Sequence, residues 1–266
     1  IHVEKQRALD EEESTLKAQL LQSTPEVLSQ LASDAEEAKE ILRGERFYDI
    51  DKLEWATNTL HQTMAHISLG YYPAQICFPP IETDLTYKPF MSSEILEALD
   101  DDQINIYRDV YRELIGPVIK KEKPGMIGIS IVQQKQIIPT FTFAKMIKED
   151  FPGIHITIGG NIVTRIRDEL KIQNELFGYI DSAILYEGEN AYLQLVDAVE
   201  NSKSLSGLPN LIYRDESGIH ANKDVCSEDL SKLPPPDFDG LALEKYFVPK
   251  LILPFLATRG CYWGRC

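Results

Sequence analysis

The sequence of 266 residues lacks several features that would assign it to a class of protein. It has no excess of basic residues, because 27 Lys and Arg stand against 42 Asp and Glu and the formal net charge is −15. A nucleic-acid partner needs a basic face, as does an anionic membrane surface, so we expect neither partner. No apolar run approaches the roughly 20 residues of a membrane-spanning helix, and nothing at the start resembles a signal peptide.

Cysteine is also scarce. The four cysteines are too few and too scattered for a disulfide framework in a chain of this length, so we expect a reducing, cytoplasmic location. Cys77 and Cys226 lie in unrelated contexts, and we predict no function for them. The sequence begins at Ile1 rather than Met, and we expect the native protein to begin earlier.

The first part of the chain has a helical pattern. Residues 1–45 are rich in Glu, Ala, Leu and Gln, and Thr24 followed by proline is typical of a helix start. We predict acidic, solvated helices there, a further amphipathic helix over 51–69 and one or two more over 93–120. The proline-rich stretch over 70–90 is predicted to be a loop.

The pattern then changes to alternating strands and helices. Three apolar runs, at 126–132, 154–158 and 180–186, each precede a helical stretch. Such continuous apolar runs are typical of strands buried on both faces of a parallel sheet. We therefore predict an α/β, Rossmann-like (flavodoxin-like) parallel sheet. A hairpin over 211–220 and a proline-rich linker over 234–239 are predicted to follow it.

Small and polar residues follow these three strands. Ligands of open parallel sheets bind beyond the carboxyl ends of the strands, and glycine there lets a ligand approach the backbone. A Gly-Gly pair by itself is equally compatible with a tight turn. The predicted cofactor-binding residues are Ser130, Gly159, Gly160, Asn161, Glu187 and Gly188. We expect Ser130, Gly160 and Glu187 to lie close together, and a bulky residue at Gly160 to close the cleft with the fold intact.

As an ensemble, these residues resemble the cobalamin-binding domain that precedes many radical SAM domains. The resemblance covers about residues 75–200 and rests on Gly128 and Ser130, the Gly-Gly turn with Thr164, and the run Tyr186–Glu189. It implies that the serine-bearing turn and the Gly-Gly turn hold the nucleotide tail and corrin edge of cobalamin.

The chain departs from this family in two ways. It lacks the Asp-x-His-x-x-Gly signature that supplies an axial histidine in classical corrinoid enzymes, as do many radical SAM relatives. It also lacks the first β-α-β unit, which the family places before the helical stretch. His155 alternates with isoleucines in the second strand, so we predict a strand residue packed beside the sheet rather than a cobalt ligand.

The last nine residues, 258–266, have the sequence TRGCYWGRC. Two thiolates, Cys261 and Cys266, suit an iron–sulfur cluster or zinc, although the pair alone is equally compatible with free thiols. In context the run resembles the cluster loop of radical SAM enzymes, and closely the subgroup with RGCYWG(K/R)C seen in peptide-maturation proteins. The family usually has three residues between the first two cysteines, whereas here and in that subgroup there are four.

That second resemblance implies a [4Fe–4S] cluster with Cys261 and Cys266 as metal ligands and a third cysteine past the end of this sequence. In the family the open iron binds S-adenosylmethionine, whose reductive cleavage yields a 5′-deoxyadenosyl radical. The apolar run over 251–257 is then the first strand of a truncated partial α/β barrel, with the cluster loop at its carboxyl end.

Four domains are predicted from these observations. They are a helical segment over 1–75, a cobalamin-binding α/β domain over 76–205, a hairpin and linker over 206–248, and the start of a radical SAM domain over 249–266.

The resemblances imply a fragment of a cobalamin-dependent radical SAM enzyme, such as a methyltransferase, that is inactive alone. Its partners would be a small-molecule or peptide substrate and a reductant protein. Two alternatives stay open: a corrinoid carrier or sensor without radical chemistry, and a structural zinc site on a regulatory α/β domain. No catalytic residue or substrate follows from the sequence.

Overall fold

The computed structural model describes residues 15, 24–78, 82–254, 258–260 and 263. The chain divides into two compact units. Of the described residues, those within 1–69, 77–80 and 236–266 form the first unit, and those within 70–76 and 81–235 form the second.

The helices are α1 (Pro25–Arg43), α2 (Ile50–Leu69), α3 (Ser92–Asp100), α4 (Ile106–Val110), α5 (Gly116–Glu122), α6 (Ile137–Asp150), α7 (Asn161–Arg165), α8 (Arg167–Leu170) and α9 (Glu189–Glu200). The strands are β1 (Gln75–Cys77), β2 (Glu82–Asp84), β3 (Met126–Ser130), β4 (His155–Gly159), β5 (Ser182–Ile184), β6 (Leu211–Asp215) and β7 (Gly218–Ala221). A π-helical turn, Tyr111–Ile115, joins α4 to α5.

A helical hairpin forms the core of the first unit. The helix α1 begins at Thr24, whose Oγ1 accepts a hydrogen bond from the Val27 amide at 3.4 Å, as expected of an N-cap. Small and aliphatic side chains pack α1 against α2, which is how two amphipathic helices bury their apolar stripes. These buried residues are Ala35, Ala38, Ile41, Leu42, Ala56 and Leu60.

The segment around Phe247 also packs in this unit. The Arg43 guanidinium donates to the Lys245 carbonyl through Nε (3.3 Å) and an Nη (3.2 Å). The same guanidinium lies 5.1 Å from the centre of the Phe247 ring. Phe247 in turn contacts Phe78 edge to face, with ring centres 6.1 Å apart. One arginine therefore fixes the segment to the end of α1.

The second unit is built on a five-stranded sheet in the order β3-β4-β5-β6-β7. The strands β3, β4 and β5 are parallel, as predicted, whereas β6 and β7 form an antiparallel hairpin that extends the sheet from β5. The predicted hairpin is therefore part of the sheet. A separate two-stranded sheet of β1 and β2 lies in the stretch predicted to be a loop.

Helices cover both faces of this sheet. On one face α6 and the residues of α7 and α8 form the larger core, with Phe141 and Ile147 packed against Ile156 and Ile158. On the other face α9 packs Leu195 and its neighbours on the β5 and β6 side chains. The pleat explains the division, because alternate residues of a strand point to opposite faces.

Some predicted boundaries were wrong. The strand predicted over 126–132 ends at Ser130, and the helical stretch predicted to follow the second strand is broken into α7 and α8. Residues 251–254 of the strand predicted over 251–257 form no regular element, and residues 255–257 lie outside the described part of the chain.

Candidate functional site

The turns after β3 and β4 are held together by their backbones. The Ile131 amide donates to the Gly159 carbonyl at 2.7 Å, and the Ile162 amide donates to the Ile131 carbonyl at 3.2 Å. Gly160 has φ +101°, and a Cβ there would lie 2.5 Å from the Ile131 carbonyl oxygen. The expectation that a bulky residue at Gly160 leaves the fold intact is therefore wrong, because position 160 has no room for a side chain.

A row of small and hydroxyl-bearing residues crosses the parallel strands on the α9 face. The register aligns Gly128 of β3 with Thr157 of β4, and Thr157 with Ser182 of β5. The Thr157 hydroxyl is buried and has no hydrogen-bond partner among the described residues. A buried polar atom of this kind is rare and calls for a partner such as water or a ligand.

His155 lies on β4 two residues before Thr157, on the same face of the sheet. Its Nε2 is 2.9 Å from the Ser182 Oγ, and burial lowers the pKa of the imidazole below its usual 6.5. The imidazole is thus a half-buried strand residue, in agreement with the prediction.

The edge strand β3 and α9 form an exposed surface where the Tyr192 ring lies against Gly128. Gly128 and Ser130 are exposed on β3, and Tyr192 of α9 is 41% exposed. A Cβ on Gly128 would lie 3.0 Å from Cε2 of the Tyr192 ring, so glycine makes room for that ring. We call the surface formed by Gly128, Ser130 and Tyr192, with Thr157 beneath it, the β3–α9 groove.

The turn after β5 connects to the turn after β4 through a hydroxyl. The Tyr186 amide donates to the Thr164 Oγ1 at 2.7 Å. Tyr186 itself has φ +58°, an uncommon conformation for a tyrosine. All three predicted turns are thereby connected, and the structure brings Ser130 beside Gly159 in register.

Glu187 contacts protein rather than open space. Its Oε2 accepts from the Glu228 amide at 2.7 Å, and the Glu228 carboxylate accepts from the Asn190 amide at 2.8 Å. Gly188 precedes α9 and is half-buried, and a Cβ there would lie 3.2 Å from Ile184 Cγ2. Asn161 is exposed at the start of α7. The structure therefore uses Glu187 and Gly188 in packing the turn.

Asn210 forms hydrogen bonds to the same turn, and the sequence analysis did not predict this role. Its Nδ2 donates to the carbonyls of Glu187 (2.9 Å) and Cys226 (2.7 Å), and its Oδ1 accepts from the Cys226 amide at 3.0 Å. Its own carbonyl accepts from the Leu185 amide at 2.8 Å. Asn210 is 2% exposed and has φ +57°, which asparagine tolerates better than most residues. The signal in the sequence was an asparagine directly before a strand.

Cys261 and Cys266, the predicted metal ligands, lie outside the described residues. Within the described ranges, no group of three or more His, Cys, Asp or Glu side chains is arranged to hold a metal ion. Cys77 and Cys226 are exposed free thiols. In the part of the chain that the structure describes, no helix has the length and apolar character needed to cross a membrane.

Comparisons with known proteins find similar sequences and solved structures. No protein-family model matches the chain. An uncharacterized methyltransferase of Pyrococcus horikoshii, PH0819, is 27% identical over 151 residues, which are 55% of this chain and 32% of that protein. The chain therefore spans about a third of the length of this relative.

Two of the solved structures that are similar to the chain are of TsrM, a radical S-adenosylmethionine methyltransferase from Kitasatospora setae. One contains tryptophan and a SAM analogue, and the other contains cobalamin and a [4Fe-4S] cluster. Each aligns with a TM-score of 0.35 and 17% identity, covering 53% or 54% of this chain and 27% of TsrM.

Proposed function

We propose that the chain is the cobalamin-binding portion of a radical SAM methyltransferase, with Cys261 and Cys266 as ligands of its cluster. The single observation that supports the cobalamin proposal best is the β3–α9 groove. The relative in Pyrococcus horikoshii is named a methyltransferase, which supports methyl transfer as the reaction. When bound, cobalamin would supply the methyl group, and the cluster would supply the electron that cleaves S-adenosylmethionine.

The residues of the groove fit the chemistry of cobalamin. The cofactor presents amides, a phosphate and a flat base, which need hydroxyl partners and a surface without obstructing side chains. Gly128 offers bare backbone, Ser130 and Tyr192 offer exposed hydroxyls, and Thr157 offers a buried hydroxyl that lacks a partner among the described residues. In this proposal Gly128 and Tyr192 orient the cofactor, and Thr157 hydrogen-bonds to it.

Titration with hydroxocobalamin tests the cofactor. We expect the complete protein to bind hydroxocobalamin. Binding is measured by visible absorbance and by co-elution of the cofactor with the protein in gel filtration. Gly128→Leu should weaken binding by about tenfold or more, because the new side chain displaces the Tyr192 ring into the groove. Gly153→Leu is the matched control, since a Cβ on Gly153 meets nothing within 4 Å.

Thr157→Val separates the hydroxyl from the shape of the site. The substitution keeps the volume and removes one hydrogen-bonding group, so we expect a loss of about threefold to tenfold in affinity with an unchanged fold. Absence of binding by the wild type, or equal binding by Gly128→Leu and the control, would contradict the cobalamin proposal.

Metal analysis tests the cluster. After anaerobic reconstitution with iron and sulfide, we expect the complete protein to contain iron and sulfide and to lose them on Cys261→Ala or Cys266→Ala, but not on Cys77→Ala. Thiolate-ligated iron should also give broad absorbance near 400 nm, roughly where such clusters absorb. Zinc in place of iron would favour the structural zinc site, and cobalamin binding with no cysteine-dependent metal would favour a corrinoid carrier.

A further inference from the structure

A concave surface lies on the α6 side of the sheet, on the face opposite the β3–α9 groove. A cavity of about 580 Å³ opens beside the residues that follow β3 and those of α7. A smaller cavity of about 330 Å³ adjoins it, and Phe90 and Ile166 line both. These volumes fall in the range of small-molecule sites. We call the two cavities together the Arg165 cleft.

The larger cavity carries an uncompensated positive charge. Of its described charged lining residues, Lys135 and Glu82 form an ion pair, with Nζ and Oε2 2.7 Å apart. The Arg165 guanidinium forms no ion pair or hydrogen bond within the described part of the chain. Gln133 and Gln134 add amide groups to the same wall. A guanidinium with several free N–H donors is suited to an anionic oxygen group.

The smaller cavity is mostly apolar. Ile137 and Phe141, each 1% exposed, belong to the main core at its base, and Phe90 is 56% exposed at the boundary of the two cavities. The Glu169 side chain also lines this cavity, so a negative group is disfavoured here and favoured beside Arg165. The larger cavity therefore suits the negatively charged end of a ligand, and the smaller cavity suits its apolar end.

We infer that the Arg165 cleft binds a small amphipathic anion. Its carboxylate, sulfonate or phosphate head contacts Arg165 and the amides of Gln133 and Gln134. Its apolar body, an aryl group or a short acyl chain, lies between Phe90 and Ile166 and enters the smaller cavity. This site is independent of the proposed cobalamin site, because the two surfaces lie on opposite faces of the sheet.

The test uses a pair of fluorescent probes that differ in one charge. The probes are 1-anilinonaphthalene-8-sulfonate and its uncharged counterpart N-phenyl-1-naphthylamine, each titrated into the complete protein. We expect Arg165→Gln to weaken sulfonate binding by about fivefold to tenfold, as for loss of one charge-assisted contact, and to leave the uncharged probe unaffected. Phe90→Ala should weaken both probes by about threefold or more. Arg46→Gln, which removes an exposed arginine of the first unit, is the matched control and should change neither.

Competition experiments identify the preferred head group and test whether the Arg165 cleft is independent of the proposed cobalamin site. Decanoate and octyl phosphate should each displace the sulfonate probe, and the stronger competitor indicates the preferred head group. Saturating hydroxocobalamin should not displace it. The inference is overturned if Arg165→Gln affects both probes equally or neither, if Phe90→Ala has no effect in a protein whose circular dichroism is unchanged, or if cobalamin displaces the probe. If neither amphiphile competes, a polypeptide segment is indicated as the natural occupant of the cleft, and this result also overturns the inference.

Discussion

Two adjacent glycines in the turn after β4 differ in what a side chain would contact. Gly160 has φ +101° and ψ 173°, a region essentially restricted to glycine, and its Cβ would lie 2.5 Å from the Ile131 carbonyl oxygen. A Cβ on Gly159 would lie 3.6 Å from the Ile184 carbonyl oxygen, an ordinary contact.

We predict that Gly160→Ala lowers the free energy of unfolding by about 3 kcal/mol or more, through backbone strain and the clash with Ile131. Gly159→Ala should change it by less than about 1 kcal/mol. Urea denaturation followed by circular dichroism measures both. Similar losses in the two variants would mean that the turn relaxes, contrary to the geometry described above.

His155 predicts a pH dependence of stability. Burial lowers the pKa of its imidazole below the usual 6.5, so the unfolded state binds the proton more readily than the folded state. The stabilising contribution is therefore fully present above pH 6.5 and is lost as the pH falls from there through the lower pKa of the folded state.

The difference between the wild type and His155→Gln isolates this contribution. We predict that the midpoint of urea denaturation falls on acidification from about pH 7 to about pH 5, and that it falls less in the variant. Gln is chosen because its uncharged amide can donate or accept a hydrogen bond, as the imidazole does with the Ser182 hydroxyl. An equal fall in both proteins would show that other groups account for the acid sensitivity.

At the scale of elements, Arg43 is the contact that fixes the segment around Phe247 to α1. We predict that Arg43→Ala raises the rate of chymotryptic cleavage after Phe247 by about fivefold, because two hydrogen bonds and one cation–π contact are lost. Arg46→Ala should not change the rate, since among the described residues the Arg46 side chain makes a single exposed ion pair, with Glu37. Mass spectrometry of the fragments identifies the cleaved bond.

The sheet was predictable from the sequence because its strands are continuous apolar runs, and such runs have few alternatives in an α/β chain. The run over 154–158 became β4 almost residue for residue. The break between α7 and α8 was not predictable, because it depends on backbone conformation at Ile166 rather than on any helix breaker in the sequence. Pairing of β6 with β5 was also missed, since a hairpin pattern does not reveal which third strand it joins.

The candidate site was predictable in position but not in detail. Strand ends located the turns, because carboxyl ends of parallel strands share one edge of a sheet. The roles of Thr157 and Asn210 depend on register and on contacts more than 15 residues apart along the chain, which no local pattern contains. Glu187 was predicted from its place after a strand, yet its carboxylate accepts a backbone amide from Glu228.

At the scale of the whole molecule, the net charge of −15 dominates the electrostatics. Self-repulsion of like charges destabilises a compact state, and salt screens it over a Debye length of about 10 Å at 0.1 M. We predict that raising NaCl from about 20 mM to about 200 mM stabilises the protein by about 1 kcal/mol, measured by urea denaturation. A fall in stability would mean that the surface ion pairs outweigh the repulsion.

The contacts of Asn210 have a consequence for local opening. Its side chain and carbonyl engage residues from two segments that are some forty positions apart, near Glu187 and near Cys226. Because both segments hydrogen-bond to the same asparagine, displacement of Asn210 breaks the contacts of both, so the two segments should open as a single cooperative unit. Native-state amide hydrogen exchange should therefore give Leu185 and Cys226 matching opening free energies, and Asn210→Gly, which keeps the backbone conformation, should lower both together.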